Sequence, residues 1–405
     1  MRRVPAAAAG AAASALAAAL LFEVILRAVG FSAPAWYRPD PALGWALRPG
    51  VEGRFNREGN AYVRINSAGL RDREHAIEKP ANAYRIAVLG DSYAEAMQVE
   101  RADAFWSLLE GELERCEYQP GKRIEMINFG VSGFGTAQEY VMLEAVAMRY
   151  RPDLVLLQFM NGNDVSDNSS ALNAEKLRPY FAVDETHGLV RDASFAETDA
   201  FRSRTAAWKR ALRRLADRSR VVQLVRAFKQ MELAPRARAE EMIEPGVNVA
   251  VLVPPRDPSW QSAWEVTERL ILAMHDHLGT RGVPLVVLTT PFATQVHPDR
   301  QLRRRLEAEL GIADLFYPDR RLETTLRRQG IAVIPLAYEM QRFAESSGVH
   351  LYGFANSRMG FGHWNARGHR VAADLIADRL CRDRSRGSND PTGLLRPGLG
   401  VTRPS

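Results

Sequence analysis

Four short blocks of the 405-residue chain bring together a nucleophile, a base and hydrogen-bond donors suited to attack on a carbonyl. Gly90-Asp91-Ser92-Tyr93 places a serine just after a glycine that lets the backbone turn sharply. Asp and Ser are also good helix N-caps, so this triplet alone reads equally as a cap. Asn128-Phe129-Gly130-Val131-Ser132-Gly133-Phe134-Gly135 is dense in glycine and exposes backbone N–H groups. An oxyanion hole needs such donors, although by itself the stretch reads as a strand-to-helix turn. Asn161-Gly162-Asn163-Asp164 adds a side-chain amide that can donate a second hydrogen bond to a developing oxyanion. Gly362-His363-Trp364-Asn365-Ala366-Arg367-Gly368-His369 supplies an imidazole, His363, in a loop. His369 falls a turn or more into the following helix and reads as structural.

These blocks need a frame, and the hydrophobic pattern describes one. Arg85–Leu89, Ile124–Phe129, Asp153–Phe159, Pro284–Leu288 and Ile331–Ile334 are short apolar runs, each read as a strand. Helical stretches alternate with them, near Asp103–Arg115, Ala137–Arg149 and, last, Ala366–Arg379. Continuous apolar strands alternating with helices indicate a parallel sheet covered on both faces. Right-handed crossovers then give an α/β fold, a three-layer α/β/α sandwich with a flavodoxin-like five-stranded parallel sheet. Three of the four blocks lie at carboxyl ends of successive strands, where open α/β sheets bind ligands. The fourth enters the last helix.

Taken together, the blocks resemble the SGNH hydrolase family, also called the GDSL esterases and lipases, over residues 85 to about 380. The resemblance implies Ser92 as nucleophile and His363 as base. It implies an oxyanion hole of the Ser92 N–H, Gly133 and Asn163, with Asp91, Asp164 and Asn365 in support. The family usually carries an aspartate three residues before the histidine, to orient the ring and stabilise its charged form. Here that position is Gly360, with Phe361 next. The expectation is therefore a Ser–His dyad, or an acid arriving from elsewhere, with Asp319 and Glu339 as candidates by coarse placement. The remaining option is a weak or inactive protein.

Arg2 and Arg3 precede an apolar, mostly alanine run from Val4 to Phe22, the pattern of a signal peptide or signal anchor. Glu23 and Arg27 are four apart and extend the helical pattern. Residues 1–33 are thus expected to form a transmembrane helix in a bacterial inner membrane, with the body in the periplasm. Residues 34–82 read as a β-rich lead-in, whose Pro41-Ala42-Leu43-Gly44-Trp45 and Ile65-Asn66-Ser67-Ala68-Gly69-Leu70-Arg71 also resemble envelope members of the family. The hydrolase domain covers 83–385, interrupted at about 165–260 by an insertion with a hairpin and Arg-rich helices, and 386–405 form a disordered tail. The basic stretch from Lys209 to Arg220 is a solvated face, a lid or a contact with anionic headgroups.

With 54 basic and 48 acidic residues the net charge is only +6, and no nucleic-acid recognition motif accompanies it. Neither cysteine has a metal-ligand neighbour, so no metal or other cofactor is expected. Cys116 and Cys381 close the first and last helices of the sandwich, which lie side by side in such a sheet. A disulfide suits an oxidising compartment; two unrelated buried thiols are the other reading. The function expected is a serine esterase or deacetylase acting on acyl esters, acetyl above all, and the resemblance implies envelope glycans as one source of them. An O-acetyltransferase and a non-catalytic glycan-binding protein are the alternatives.

Overall fold

The computed structural model describes residues 6–233, 242–244 and 246–385. Five parallel strands form the central sheet: β1 (Ala83–Leu89), β2 (Arg123–Asn128), β3 (Leu154–Met160), β4 (Leu285–Thr290) and β5 (Ala332–Pro335). Their spatial order is β2-β1-β3-β4-β5, so the connection reverses direction between β1 and β3. That reversal opens a crevice at the carboxyl edge of the sheet. All seven residues of β3 are buried, as befits the middle strand of a sheet covered on both faces. The helices Phe105–Arg115, Thr136–Ala145, Pro258–Gly279, Tyr317–Arg328 and Ala366–Ser385 include those that cover it, and one contiguous apolar core results. The expected strands thus form within two residues of their expected bounds.

The first and last helices of the sandwich pack against each other, and a disulfide joins Cys116 to Cys381 at their ends. It closes a separation of 265 residues, tying the start of the domain to its finish.

The lead-in forms two antiparallel hairpins, Tyr37–Asp40 with Gly44–Leu47 and Glu52–Phe55 with Ala61–Arg64. In the second, Ala61 and Val63 face inward and Tyr62 and Arg64 outward, the period of two that the sequence shows. Ala61 and Val63, with Leu47 and Ile65, pack on Met97 just beyond the serine. A buried arginine clamps the next stretch to the sheet. Arg85 donates to Glu125, at 2.8 Å, and to the carbonyls of Ala76, Ile77, Glu78 and Tyr150. Every donor of that guanidinium is satisfied, so its charge is tolerated in the interior, and removing a partner from such a group costs about 3–5 kcal/mol. The lead-in is held to the domain as a fixed part of it.

The helix Ala6–Ala28 forms as expected, but the structure gives the expected membrane span no support. Among the described residues no helix is long and apolar enough to cross a membrane. Much of this helix is alanine, which presents little apolar surface per residue, and its last turns are engaged elsewhere. Glu23 accepts hydrogen bonds from the Arg220 and Val221 N–H groups and from Ser219 Oγ, capping the helix Arg220–Leu233. Arg2, Arg3 and the tail from 386 lie outside the described residues.

The insertion contains the expected hairpin, Tyr180–Asp184 with Gly188–Asp192, and three helices, Asp199–Thr205, Ala207–Arg218 and Arg220–Leu233. Its return brings residues 242–244 and 246–253 back across the carboxyl edge of the sheet. There Asn248 donates to the Gly162 carbonyl at 3.0 Å, and Val247 packs on Gly162.

Candidate active site

Ser92 begins a single helical turn, Ser92–Glu95, at the end of β1. Asp91 caps it, its carboxylate accepting from the Tyr93 N–H at 3.0 Å, while the Asp91 N–H donates to Gln158 on β3. The short turn between strand and helix leaves the serine Oγ projecting into the crevice. His363 Nε2 lies 2.9 Å from that Oγ. The two blocks are 271 residues apart in sequence and meet within hydrogen-bond distance.

The far side of the imidazole is not bare. Glu58 Oε2 lies 2.5 Å from His363 Nδ1, and Glu58 Oε1 accepts the His363 backbone N–H at 2.8 Å. Neither the dyad nor the two candidate acids therefore matches the structure. Asp319 is buried elsewhere, accepting from Thr289 Oγ1 and Gln295 Nε2. Glu339 is exposed and paired with Arg342. The acid comes from the turn of the second lead-in hairpin, between the strands Glu52–Phe55 and Ala61–Arg64. Asn356 fixes that turn against the histidine loop, donating to the carbonyls of Asn56 and Gly59 and accepting from the Gly59 N–H.

Two glycines leave room for this route. Gly362 has φ +85, and a Cβ there would lie 2.1 Å from Glu58 Oε1, so only glycine leaves room for the carboxylate. Gly360, where the family pattern has its aspartate, also has φ +85. A Cβ there would lie 2.6 Å from His297 Nε2 and 2.9 Å from His350 Nδ1. Two imidazoles fill the space that the usual acid would need, and the backbone is in a region that side chains disfavour.

The loop that carries the imidazole is held at several points. Tyr93 donates its hydroxyl to the Gly362 carbonyl, with its ring 5.2 Å from that of His363. The Gly353 N–H donates to the His363 carbonyl, and Tyr352 pairs with Trp364 in a β-bridge. Asn365 shapes the same loop: its amide donates to the His350 and Gly353 carbonyls, and its oxygen caps the last helix at Arg367 and Gly368. His369 is buried, accepts from the Phe105 N–H and stacks on that ring, a packing role.

Burial alone would push the His363 pKa down, yet the Glu58 carboxylate outweighs it and the value is raised. Glu58 shows the reciprocal effect: burial pushes it up, and the imidazole more than reverses that. The pair is thus poised to stabilise an imidazolium.

Facing the serine are the two expected donor blocks. Gly133 and Asn163 both line a cleft of about 790 Å³ together with Ser92, His363 and Glu58. Asn163 Nδ2 sits 3.4 Å from Asp91 Oδ2, which orients the amide while leaving its second hydrogen to point elsewhere. The Gly133 loop is braced from the lead-in. Trp45 Nε1 donates to the Ser132 carbonyl at 3.0 Å, and Glu95 accepts from both Ser132 Oγ and the Tyr37 hydroxyl. Glu95 is fully buried, which raises its pKa to about 7. Asp164 accepts the Met160 N–H at 2.8 Å and stays in the interior, fixing the turn that carries Asn163.

No family model matches the sequence, and no curated protein matches it. Solved structures of similar fold include an α/β hydrolase enzyme from the metagenome of Lake Arreo, Spain, at 14% identity and TM-score 0.37. That likeness covers 78% of this chain and 99% of the other. Others are a catalytic mutant of an acetylxylan esterase from Geobacillus stearothermophilus, at 11% identity, TM-score 0.36, 75% of this chain and 96% of that one. A GDSL-like lipase from Bacteroides thetaiotaomicron is 10% identical, with TM-score 0.32 over 74% and 88%. The neighbours are esterases and GDSL-like hydrolases, but at this level of likeness the chemistry must rest on the site itself.

Proposed function

We propose that this chain is an SGNH-type serine esterase that cleaves acyl esters through an acyl-enzyme. The observation that carries the reading is the continuous relay from Ser92 Oγ through His363 to Glu58. In the first half-reaction His363 Nε2 takes the Ser92 proton as the oxygen attacks the ester carbonyl. The negative charge moves to the carbonyl oxygen, where the Ser92 and Gly133 N–H groups and the Asn163 amide donate to it. Glu58 stabilises the imidazolium formed at that moment. Collapse of the intermediate breaks the bond to the alcohol oxygen, which takes the proton from Nε2. Water then repeats the sequence on the acyl-serine and releases the acid, returning the serine its proton.

Acetyl esters of an exported glycan are the substrates we favour, and the cleft supports that reading by its mixed wall of aromatic and polar side chains. The Cys116–Cys381 disulfide supports a body that works in an oxidising, extracytoplasmic compartment. Hydrolysis of p-nitrophenyl acetate by the purified protein, compared with Ser92→Ala, tests the proposal. Loss of turnover by three or more orders of magnitude is expected. Equal rates for the two proteins would overturn it.

A further inference from the structure

The insertion delivers one buried acid to the cleft that the relay does not use. Glu244 is only 9% exposed and lines the same cleft as Ser92, Glu58 and His363. Its Oε1 accepts the Ala293 N–H at 2.8 Å, just beyond the carboxyl end of β4. The neighbouring Met242 carbonyl accepts from Thr294 Oγ1, so the segment is tied down on both sides of one contact. The second oxygen, Oε2, is buried and has no hydrogen-bond partner among the described residues. A buried carboxylate oxygen left without a donor is costly, so such an atom in a cleft wall is a place for a ligand's donor. Burial pushes the Glu244 pKa up to about 7, against the lowering by the Ala293 N–H.

The surroundings narrow the kind of donor. Trp36, Tyr37 and Phe55, from the lead-in, line the same cleft and offer flat apolar surfaces. Flat rings beside a fixed acceptor suit a ring-shaped ligand with hydroxyl groups on its edge and C–H groups on its faces. A simple aryl ester has the carbonyl that Ser92 attacks but no hydroxyl to offer.

We propose that Glu244 is a specificity residue whose free carboxylate oxygen accepts a hydrogen bond from a hydroxyl on the alcohol part of the ester. The inference rests on the esterase reading and names the substrate class it favours, partly acetylated saccharides over aryl or alkyl acetates. The acceptor is carried by the insertion, a segment added across the sheet edge that bears the nucleophile.

The experiment compares Glu244→Gln and Glu244→Met with the unaltered protein on two substrates, p-nitrophenyl acetate and an acetylated xylo-oligosaccharide. Glutamine keeps an oxygen for the Ala293 N–H and turns its NH₂ toward the cleft, replacing an acceptor by a donor. The expected result is a fall in kcat/KM for the saccharide at least tenfold greater than for the aryl ester, carried mainly by KM. Equal losses on the two substrates would make Glu244 a structural residue, and no loss on either would make it a bystander; both overturn the proposal. Ser92→Ala runs beside them. If it retains activity on both esters, the esterase reading itself has failed, whatever ratio the Glu244 variants give.

Discussion

Replacing Glu58 by glutamine tests the relay at its least expected member. The carboxylate makes two contacts with one residue: Oε1 with the His363 N–H at 2.8 Å and Oε2 with Nδ1 at 2.5 Å. Glutamine has a single acceptor oxygen. If that oxygen stays on the backbone N–H, the NH₂ faces Nδ1, which must then be the ring's unprotonated nitrogen. The proton moves to Nε2, which can no longer accept the one on Ser92 Oγ. An Asp→Asn change that traps the wrong tautomer in a serine protease costs about 10⁴ in kcat. Here the histidine loop is also held by Tyr93, Gly353 and Asn365, so the ring stays in place and the loss is chemical. We expect kcat/KM for p-nitrophenyl acetate to drop about 10³–10⁴-fold, or about 4–5.5 kcal/mol. The pH profile gives an independent reading. A general base must be neutral, and Glu58 holds the His363 pKa above its ordinary value of about 6.5. Activity in the unaltered protein therefore rises through an acid limb centred above that value. Without the carboxylate, burial is opposed only by the more distant Asp91 and Glu244, and the limb moves to lower pH. The assay is steady-state hydrolysis from about pH 5 to 9, the window in which a histidine titrates, with circular dichroism to show that the variant is folded. A rate within tenfold of the parent, with the limb unmoved, would refute the role given to Glu58.

Gly360→Asp restores the family's usual residue but not its function. With φ +85 and a Cβ 2.6 Å from His297 Nε2, the substitution should cost at least about 2 kcal/mol in urea unfolding. Added to Glu58→Gln it should recover no activity; recovery of even tenfold would show that the two imidazoles yield to an acid. Cys116→Ser with Cys381→Ser should lower stability by about 2–4 kcal/mol while leaving kcat close to the parent's, since the disulfide lies at helix ends remote from the cleft. Unchanged unfolding midpoints in urea would mean that the cross-link adds nothing to the folded state.

What could be read from the sequence follows the range of the signals. Strands such as Leu154–Met160 announce themselves because burial on both faces requires an unbroken apolar run, and their ends carry Ser92, Gly133 and Asn163 at local, legible spacings. His363 is likewise marked by its neighbours in the loop before the last helix. Glu58 has no such mark. It stands in a hairpin turn 305 residues before its partner, among other charged residues, and the packing of Ala61, Val63 and Met97 with the Asn356 hydrogen bonds brings that turn to the histidine. The glycines at 360 and 362 are the one clue in the sequence. Their positive φ and crowded surroundings in the fold leave no room for a larger residue, which excludes an acid at those two positions of the loop. The segment that reads as a connection between terminal helix and enzyme is thus part of the site. Trp45 and Tyr37 brace the Gly133 loop, Asn356 pins the hairpin turn, and Glu58 completes the relay. It follows that removing the lead-in to leave residues 83–385 would remove the acid and the braces together. On this reading the minimal catalytic unit starts near Pro34, and not at the first strand of the sheet.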